Sequence, residues 1–190
     1  MAHKTTARET VLDAFERVIS DRGERAATLD AVAAEAGVSK GGLLYHFSSK
    51  SDLVDGLVDR LGRLGAEDLV ALRDAPEGIV RRFIRSSVVV GTPFDNTYLA
   101  VARLAQSGVY PAANDALGAI ESGWRSLIEE SVGDAAVAKL VLLVSDGLYY
   151  NAALFPGAVT PTPAADLDGV IDALEAFART RTNAAGPPAG

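Results

Sequence analysis

Residues 28–50 read TLDAVAAEAGVSKGGLLYHFSSK, and they carry the signals for two short helices and the start of a third. Thr28 is a good N-cap for the first helix, whose apolar residues follow the i, i+3, i+4 spacing of a one-faced helix: Leu29, Val32 and Ala33. Gly37 supplies the backbone freedom that ends this helix, and Ser39 caps a second helix over 40–46. The segment therefore predicts two short helices joined by a tight turn.

A third helix follows directly. Ser49 and Asp52 form the cap pattern S-x-x-D, and an apolar-periodic stretch then runs over 50–73. Two short helices with a tight turn between them are typical of helix-turn-helix domains, which place the second short helix in a DNA groove. The N-terminal part of the chain is therefore predicted to bind double-stranded DNA.

The run A-x-x-A-G-V-S-K-G-x-L-x-Y-H-F-x-S-K resembles the DNA-binding signature of the tetracycline-repressor (TetR) family of transcription regulators. The resemblance covers residues 11–57. It implies a cytoplasmic homodimer, most often a repressor that a small molecule releases from a palindromic operator. Two positions depart from the family pattern, since Leu44 stands where many relatives carry an aromatic residue and Gly42 where others present a side chain. Both departures reduce the side chains that can read bases.

Candidate DNA contacts come from this segment. Lys40 and Lys50 stand at the N-terminal ends of adjacent helices, where the ammonium and the helix end both favour a phosphate; ordinary solvated lysines are the alternative. The resemblance implies that Tyr45 reaches the groove edge or a phosphate and that His46 contacts a phosphate, with a core role as the alternative for His46. The full predicted set is Thr28, Ser39, Lys40, Gly41, Gly42, Tyr45, His46 and Lys50.

Composition excludes several classes of protein. The 190 residues include no cysteine, so disulfides and thiolate chemistry are excluded, and this fits a reducing cytoplasm. No cluster of histidines and carboxylates has metal-ligand spacing, and no nucleophile or glycine-rich phosphate motif occurs. We therefore expect no cofactor, no bound metal and no enzymatic activity. The N-terminus lacks an apolar signal core, and no stretch is long enough to span a membrane.

The net charge of −7 is unevenly distributed. Residues 1–50 hold seven basic and seven acidic side chains, so the whole excess of acid lies in residues 51–190. The acidic residues 51–190 suppress non-specific attraction to nucleic acid, whereas the neutral residues 1–50 can still bind DNA through a few basic side chains that face it. The dependence of binding on salt is therefore expected to be modest.

Helical periodicity dominates the rest of the chain, and no strand-like alternation of useful length occurs. The sequence predicts an all-α protein of about nine helices, with an N-terminal three-helix helix-turn-helix domain and a C-terminal helical ligand-binding and dimerisation domain. The expected domains are residues 1–50 and 51–182, followed by a flexible tail over 183–190. Besides the two short helices, the sequence predicts helices over 6–22, 50–73, 76–90, 95–106, a stretch ending near 132, 135–155 and 166–179, with a loop over 156–164.

Several large or polar side chains interrupt the apolar helices of the C-terminal part. Ligand sites are mainly apolar with a few placed polar groups, and the resemblance implies a pocket for a small-molecule effector. For each such residue, plain core packing is the alternative. The predicted ligand-binding set is Phe83, Tyr98, Arg103, Gln106, Trp124 and Tyr149.

Residues 135–153 are apolar nearly all round. A helix that is apolar on every face must be buried on every face, so we expect this helix and the final one to pair with those of a second copy. A central helix in a monomer is the alternative. Two other functions stay open at this stage: a helical small-molecule-binding protein, and a DNA-binding protein without sequence preference, although the neutral charge of the head disfavours the latter.

Overall fold

The computed structural model describes residues 6–154 and 163–184, and these form nine α-helices without a strand. The first four helices are α1 (Ala7–Arg22), α2 (Leu29–Ala36), α3 (Lys40–His46) and α4 (Lys50–Arg73), with a 3₁₀ turn over Glu24–Ala26. The others are α5 (Ile79–Ser86), α6 (Pro93–Gln106), α7 (Pro111–Val132), α8 (Ala135–Tyr149) and α9 (Ala164–Ala184). The all-α prediction is confirmed.

Three of the predicted helices begin or end at other residues than expected. The helix predicted over 76–90 is shorter, because Gly78 at φ 93° precedes α5 and the helix ends at Ser86. The helix predicted to reach 155 ends as an α-helix at Tyr149 and continues as a π-helical turn over Tyr150–Leu154. The last helix is longer than predicted and includes the first two residues of the expected tail. The predicted loop over 156–164 and the remaining tail lie largely outside the described residues.

The described residues form two compact units. The first, which we call the head unit, comprises the residues up to Gly65 together with Pro93–Ile120. The second, the body unit, comprises Ala66–Thr92 and the residues from Glu121 onwards. The long helices α4 and α7 each contribute to both units. The predicted boundary near residue 50 follows the helix-turn-helix motif, whereas this grouping also assigns α6 and the first half of α7 to the head unit.

The head unit is built around α1, which packs against α2, α3 and α6. Phe15, Leu12 and Ile19 of α1 are fully buried, as is Leu43 of α3. These side chains fix the position of α3 relative to the rest of the head unit. Burial of apolar area at about 25 cal/mol per Å² makes this packing the main source of the head unit's stability.

A buried cation also joins two helices of the head unit. Arg60 of α4 is only 8% exposed and forms ion pairs with three acidic side chains of α1: Glu9 at 2.5 Å, Asp13 at 2.8 Å and Glu16 at 3.0 Å. Thr97 of α6 donates a hydrogen bond to Glu16 at 2.5 Å. Burial raises the pKa of Glu16, although the hydrogen bond from Thr97 and the charge of Arg60 oppose that rise. The cluster links α1, α4 and α6 through one polar network.

The body unit has its own apolar core, to which α5, α7, α8 and α9 contribute. Ile84, Ile128, Val141 and Ile171 are fully buried there. Ion pairs connect α5 with α9 at the surface of this core, including Arg81 to Asp172 at 2.5 Å and Arg85 to Asp168 at 2.8 Å. Exposed pairs of this kind contribute up to about 1 kcal/mol each, so the apolar core dominates the stability of the body unit.

Candidate nucleic-acid interface

Local capping interactions build the helix-turn-helix as the sequence predicts. The Thr28 hydroxyl accepts a hydrogen bond from the Ala31 amide at 3.2 Å, and the Ser39 hydroxyl accepts one from the Gly42 amide at 3.1 Å. Gly37 adopts the left-handed conformation, φ 68°, which closes α2 with little strain in glycine. The turn between α2 and α3 is therefore set locally: Gly37 ends α2, and Ser39 caps the amide of a residue three positions later.

Helix α3 has one buried and one open face. Leu43 is fully buried and Phe47, directly after the helix, is 3% exposed, so both anchor it to the core. Gly41, Gly42, Leu44 and His46 are exposed, and Tyr45 is the most open large side chain at 85%. A residue that is apolar in body and polar at its tip suits a groove edge, and nothing within the head unit covers it. The open face of α3 is therefore the candidate reading surface.

Tyr45 and His46 lie against each other at this surface. Their ring centroids are 5.0 Å apart in an edge-to-face arrangement. His46 is exposed, so the alternative that it serves as a core residue does not apply to its side chain in the chain as described. Gly41 has open space where a Cβ would stand, so its lack of a side chain leaves α3 free to approach a backbone closely.

The two lysines predicted to hold phosphates both engage carboxylates of the same chain. Lys40 pairs with Asp30 at 3.0 Å, and both side chains are largely exposed. Lys50 donates to the Glu24 carboxylate at 2.6 Å and to the Glu24 carbonyl oxygen at 2.7 Å. Both lysines begin helices as predicted, but sequence reasoning did not identify either carboxylate partner.

The N-terminus of α4 also has its own cap. Asp52 accepts hydrogen bonds from the Ser48 amide at 2.9 Å and from the Ser49 hydroxyl at 2.8 Å. The Ser48 hydroxyl also donates to Asp52, at 2.5 Å, and this bond, followed by the one from the Ser49 hydroxyl, lowers the pKa of Asp52. An aspartate that remains charged at a helix N-terminus stabilises the helix, as the S-x-x-D pattern predicts.

The six predicted ligand-binding residues divide between the two units. In the body unit, the rings of Phe83 and Trp124 are 5.5 Å apart, and the Trp124 indole donates to Asp68 at 2.8 Å. Tyr149 is half-buried in the same unit. Phe83 and Trp124 therefore pack against each other, and Asp68 accepts the hydrogen bond of the indole.

The other three ligand candidates lie in the head unit. Tyr98 stacks on Phe94 with ring centroids 5.9 Å apart, and Gln106 is exposed. Arg103 donates to the Ile19 carbonyl oxygen at 3.1 Å and to the Ser20 carbonyl oxygen. The guanidinium thus bonds two of the last four carbonyls of α1, of which that of Ile19 also accepts the Gly23 amide. Arg103 thus has a structural function that the sequence analysis did not identify.

Sequence reasoning also missed the Arg60 cluster. Its signal was present, because Glu9, Asp13 and Glu16 recur at i, i+4 and i+7 and therefore lie on one face of α1. An acidic face of a helix is usually exposed to solvent. Only the tertiary structure, which brings Arg60 of α4 to this face of α1, identifies the partner of the three carboxylates.

An apolar surface of α8 and α9 remains open in the single chain. Its members are Leu140 and Leu143 of α8, Tyr150 of the π-helical turn after α8, and Val170 and Phe177 of α9, all of them exposed. Leu143 is 55% exposed, although leucine is among the residue types most often buried. We call these five residues the α8–α9 surface. Large exposed apolar patches are typical of association sites.

Within the described ranges, no helix is long and apolar enough to cross a membrane. The same residues contain no group of three or more histidine and acidic side chains that could hold a metal ion.

The head unit matches a known family. The profile of bacterial regulatory proteins of the tetR family matches residues 11–57, which run from α1 into α4. A curated relative, the transcriptional repressor BepR of Brucella suis biovar 1, is 36% identical over 59 residues. That match covers 31% of this chain and 28% of the length of BepR, so this chain spans less than a third of that relative's length.

Solved structures extend the likeness to the whole fold. A TetR family member from Streptomyces coelicolor A3 superposes with a TM-score of 0.67 at 24% identity, covering 88% of this chain and 97% of that one. The multidrug binding protein EbrR in complex with malachite green gives a TM-score of 0.64 at 23% identity, covering 90% and 96%. The likeness in sequence thus includes the helix-turn-helix segment, and the likeness to solved structures shows the fold; BepR is described as a transcriptional repressor.

Proposed function

We propose that this chain of the TetR family is a ligand-responsive DNA-binding transcription repressor, which a small molecule releases from a palindromic operator in the cytoplasm. The observation that carries the proposal is the open face of α3. Its Leu43 and Phe47 are buried while Tyr45 and His46 project outward, in the segment that matches the family profile. Helix-turn-helix proteins present this second helix to the major groove.

The contacts fall into two classes by chemistry. Tyr45, with its long exposed side chain, is proposed to reach the groove edge, and the absence of side chains at Gly41 and Gly42 is proposed to let α3 approach the duplex. Lys40, Lys50, His46, Thr28 and Ser39 are proposed to contact phosphates. Phosphate contacts position a protein on DNA, whereas contacts to base edges select the sequence.

Competition between two duplexes tests the proposal. One duplex carries DNA flanking the chain's own gene, the other has random sequence of the same length, and the salt concentration is held fixed. We expect tighter binding to the flanking DNA. Tyr45→Ala should weaken it about ten- to hundredfold, as for loss of a specific contact worth roughly 1–3 kcal/mol. Val70→Ala is the control, because Val70 is an exposed apolar residue of the body unit.

Each possible result separates the functions that remain open. Equal affinity for both duplexes would favour a DNA-binding protein without sequence preference. No binding to either duplex, by a folded protein that still binds a small molecule, would favour a helical small-molecule-binding protein. An unchanged affinity of the Tyr45→Ala variant would remove α3 as the reading helix.

The second copy is proposed to dock on the α8–α9 surface. Pairing two copies of α8 and α9 gives a four-helix interface that covers Leu140, Leu143, Tyr150, Val170 and Phe177. A homodimer holds two reading helices, and palindromic operators place their half-sites about 34–36 Å apart. Joining two heads raises the affinity for such an operator well above that of one head.

The effector is proposed to bind the body unit beside Phe83, Trp124 and Tyr149. The Phe83–Trp124 pair offers aromatic surface, and Asp68 beside the indole adds a negative charge. Malachite green, with which EbrR forms a complex, is an aromatic cation and is therefore a suitable first probe. Tyr98, Arg103 and Gln106 stay secondary candidates, since their contacts lie in the head unit.

A further inference from the structure

Lys50 does not reach freely into solvent. Its ammonium lies 2.6 Å from the Glu24 carboxylate and 2.7 Å from the Glu24 carbonyl oxygen. The Lys50 side chain is 25% exposed and that of Glu24 is 19% exposed, so water screens this pair less than it screens a surface pair. Lys40 and Asp30 form the contrasting case, because both of their side chains are more than half exposed.

Glu24 is held in place from a second side. The Tyr110 hydroxyl, just before α7, donates to the same carboxylate oxygen at 3.2 Å. The hydrogen bond from Lys50 lowers the pKa of Glu24, so this side chain is charged at neutral pH. Burial raises the pKa of Tyr110, so its hydroxyl keeps the proton that it donates. The ammonium therefore faces a fixed anion.

We propose that Glu24 is an internal competitor for the DNA phosphate at Lys50, so that duplex binding must exchange the carboxylate for a phosphate. This inference rests on the proposed DNA-binding function and deepens it. Glu24 already engages two of the three ammonium protons, those directed at its carboxylate and its carbonyl oxygen, and its charge offsets that of Lys50. A phosphate can therefore bind Lys50 at full strength only by displacing the carboxylate. Glu24 thereby lowers the affinity for any duplex and keeps binding dependent on the contacts of α3.

The geometry also defines a rival explanation. Lys50 could serve only as a tether that fixes α4 to the turn at Glu24, with no phosphate contact. Glu24→Gln distinguishes the two, because the amide oxygen still accepts a hydrogen bond from Lys50 while the negative charge is removed. The bond from Lys50 to the backbone carbonyl also persists, so the fold of the head unit is retained; a thermal melt of each variant verifies this.

The experiment uses wild type, Glu24→Gln, Lys50→Ala and the double variant. Fluorescence anisotropy measures binding to a random-sequence duplex of about 20 base pairs at several salt concentrations. We expect Glu24→Gln to bind roughly three- to tenfold more tightly and to steepen the logarithmic salt dependence by about one phosphate contact. In the Lys50→Ala background, Glu24→Gln should give little gain. Asp21→Asn removes one exposed carboxylate from the head unit and should have a much smaller effect than Glu24→Gln.

Three results would overturn the inference. A gain that persists in the Lys50→Ala background, or that Asp21→Asn reproduces, would reduce Glu24 to general charge repulsion. Weaker binding by Glu24→Gln than by wild type would make Lys50 a tether. If wild type binds the duplex and Glu24→Gln binds it with the same affinity, the inference about Glu24 fails while the DNA-binding function stands. If no folded variant binds a duplex at any salt concentration, the DNA-binding function itself fails.

Discussion

Two glycines of α4 make a sharp test of how tertiary packing changes the effect of one substitution. From helix propensity alone, Gly62→Ala and Gly65→Ala should each stabilise the helix by about 1 kcal/mol. The structure separates them. A Cβ at Gly62 meets nothing within 4 Å, whereas a Cβ at Gly65 would lie 2.1 Å from Ile120 Cδ1 and 3.6 Å from Ile120 Cγ1. Both Gly65 and Ile120 belong to the head unit.

The expected difference follows from these distances. Gly62→Ala keeps the gain of about 1 kcal/mol, because the new methyl group points into open space. Gly65→Ala forces the nearly buried Ile120 side chain into another rotamer, and overpacking of this kind costs about 1–3 kcal/mol. The free energy of unfolding of Gly65→Ala should therefore range from that of wild type to about 2 kcal/mol below it.

A third substitution isolates the cause. Ile120→Val removes the δ-methyl group, and alone it should cost about 0.5–1.5 kcal/mol. Combined with Gly65→Ala it should cost less than alone, with a coupling of more than about 0.5 kcal/mol. Urea unfolding, followed by circular dichroism at one protein concentration, measures wild type, the three single variants and the double variant. If Gly65→Ala stabilises the protein as much as Gly62→Ala, or if the two effects simply add, the reasoning from the clash is refuted.

Three further predictions concern assembly, the effector and pH. Leu143→Glu should convert a dimer into a monomer in sedimentation at micromolar concentration, while the control Val109→Glu should leave the dimer intact; a monomeric wild type would refute the α8–α9 interface. Malachite green should change the fluorescence emission of Trp124 and release operator DNA over the same range of dye concentration. By thermodynamic linkage, operator DNA should weaken dye binding by the same factor by which the dye weakens operator binding. Release of DNA with no change in Trp124 emission would place the effector site elsewhere. Burial raises the pKa of Glu16 above the usual 4.5, so its contribution to stability is fully present below the unfolded pKa and is lost as the pH rises through the folded pKa. Between about pH 7 and pH 4.5, wild type should therefore gain stability relative to Glu16→Gln as the pH falls, and parallel unfolding curves for the two proteins would contradict this assignment.

The helix ends in the head unit could be predicted from the sequence because capping is local. Thr28, Ser39 and Gly37 act on backbone groups within four residues, so the residue types alone indicate where α2 ends and α3 begins. Further along the chain the helices occur as predicted, but the observed ends of α5, α8 and α9 differ from the predicted ones.

The sequence determined that the chain is helical, that residues 28–50 form a helix-turn-helix, and that the acidic excess lies outside the first 50 residues. Only the tertiary structure decided the partners of long side chains. Lys50 pairs with a residue 26 positions earlier, and Arg103 with carbonyls more than 80 positions away. It also showed that Val141 and Leu174 are core residues whereas Leu143 and Phe177 are exposed. The physical reason is that a cap depends on the neighbouring backbone, whereas an ion pair, a glycine contact or a free apolar face depends on which helices lie beside each other.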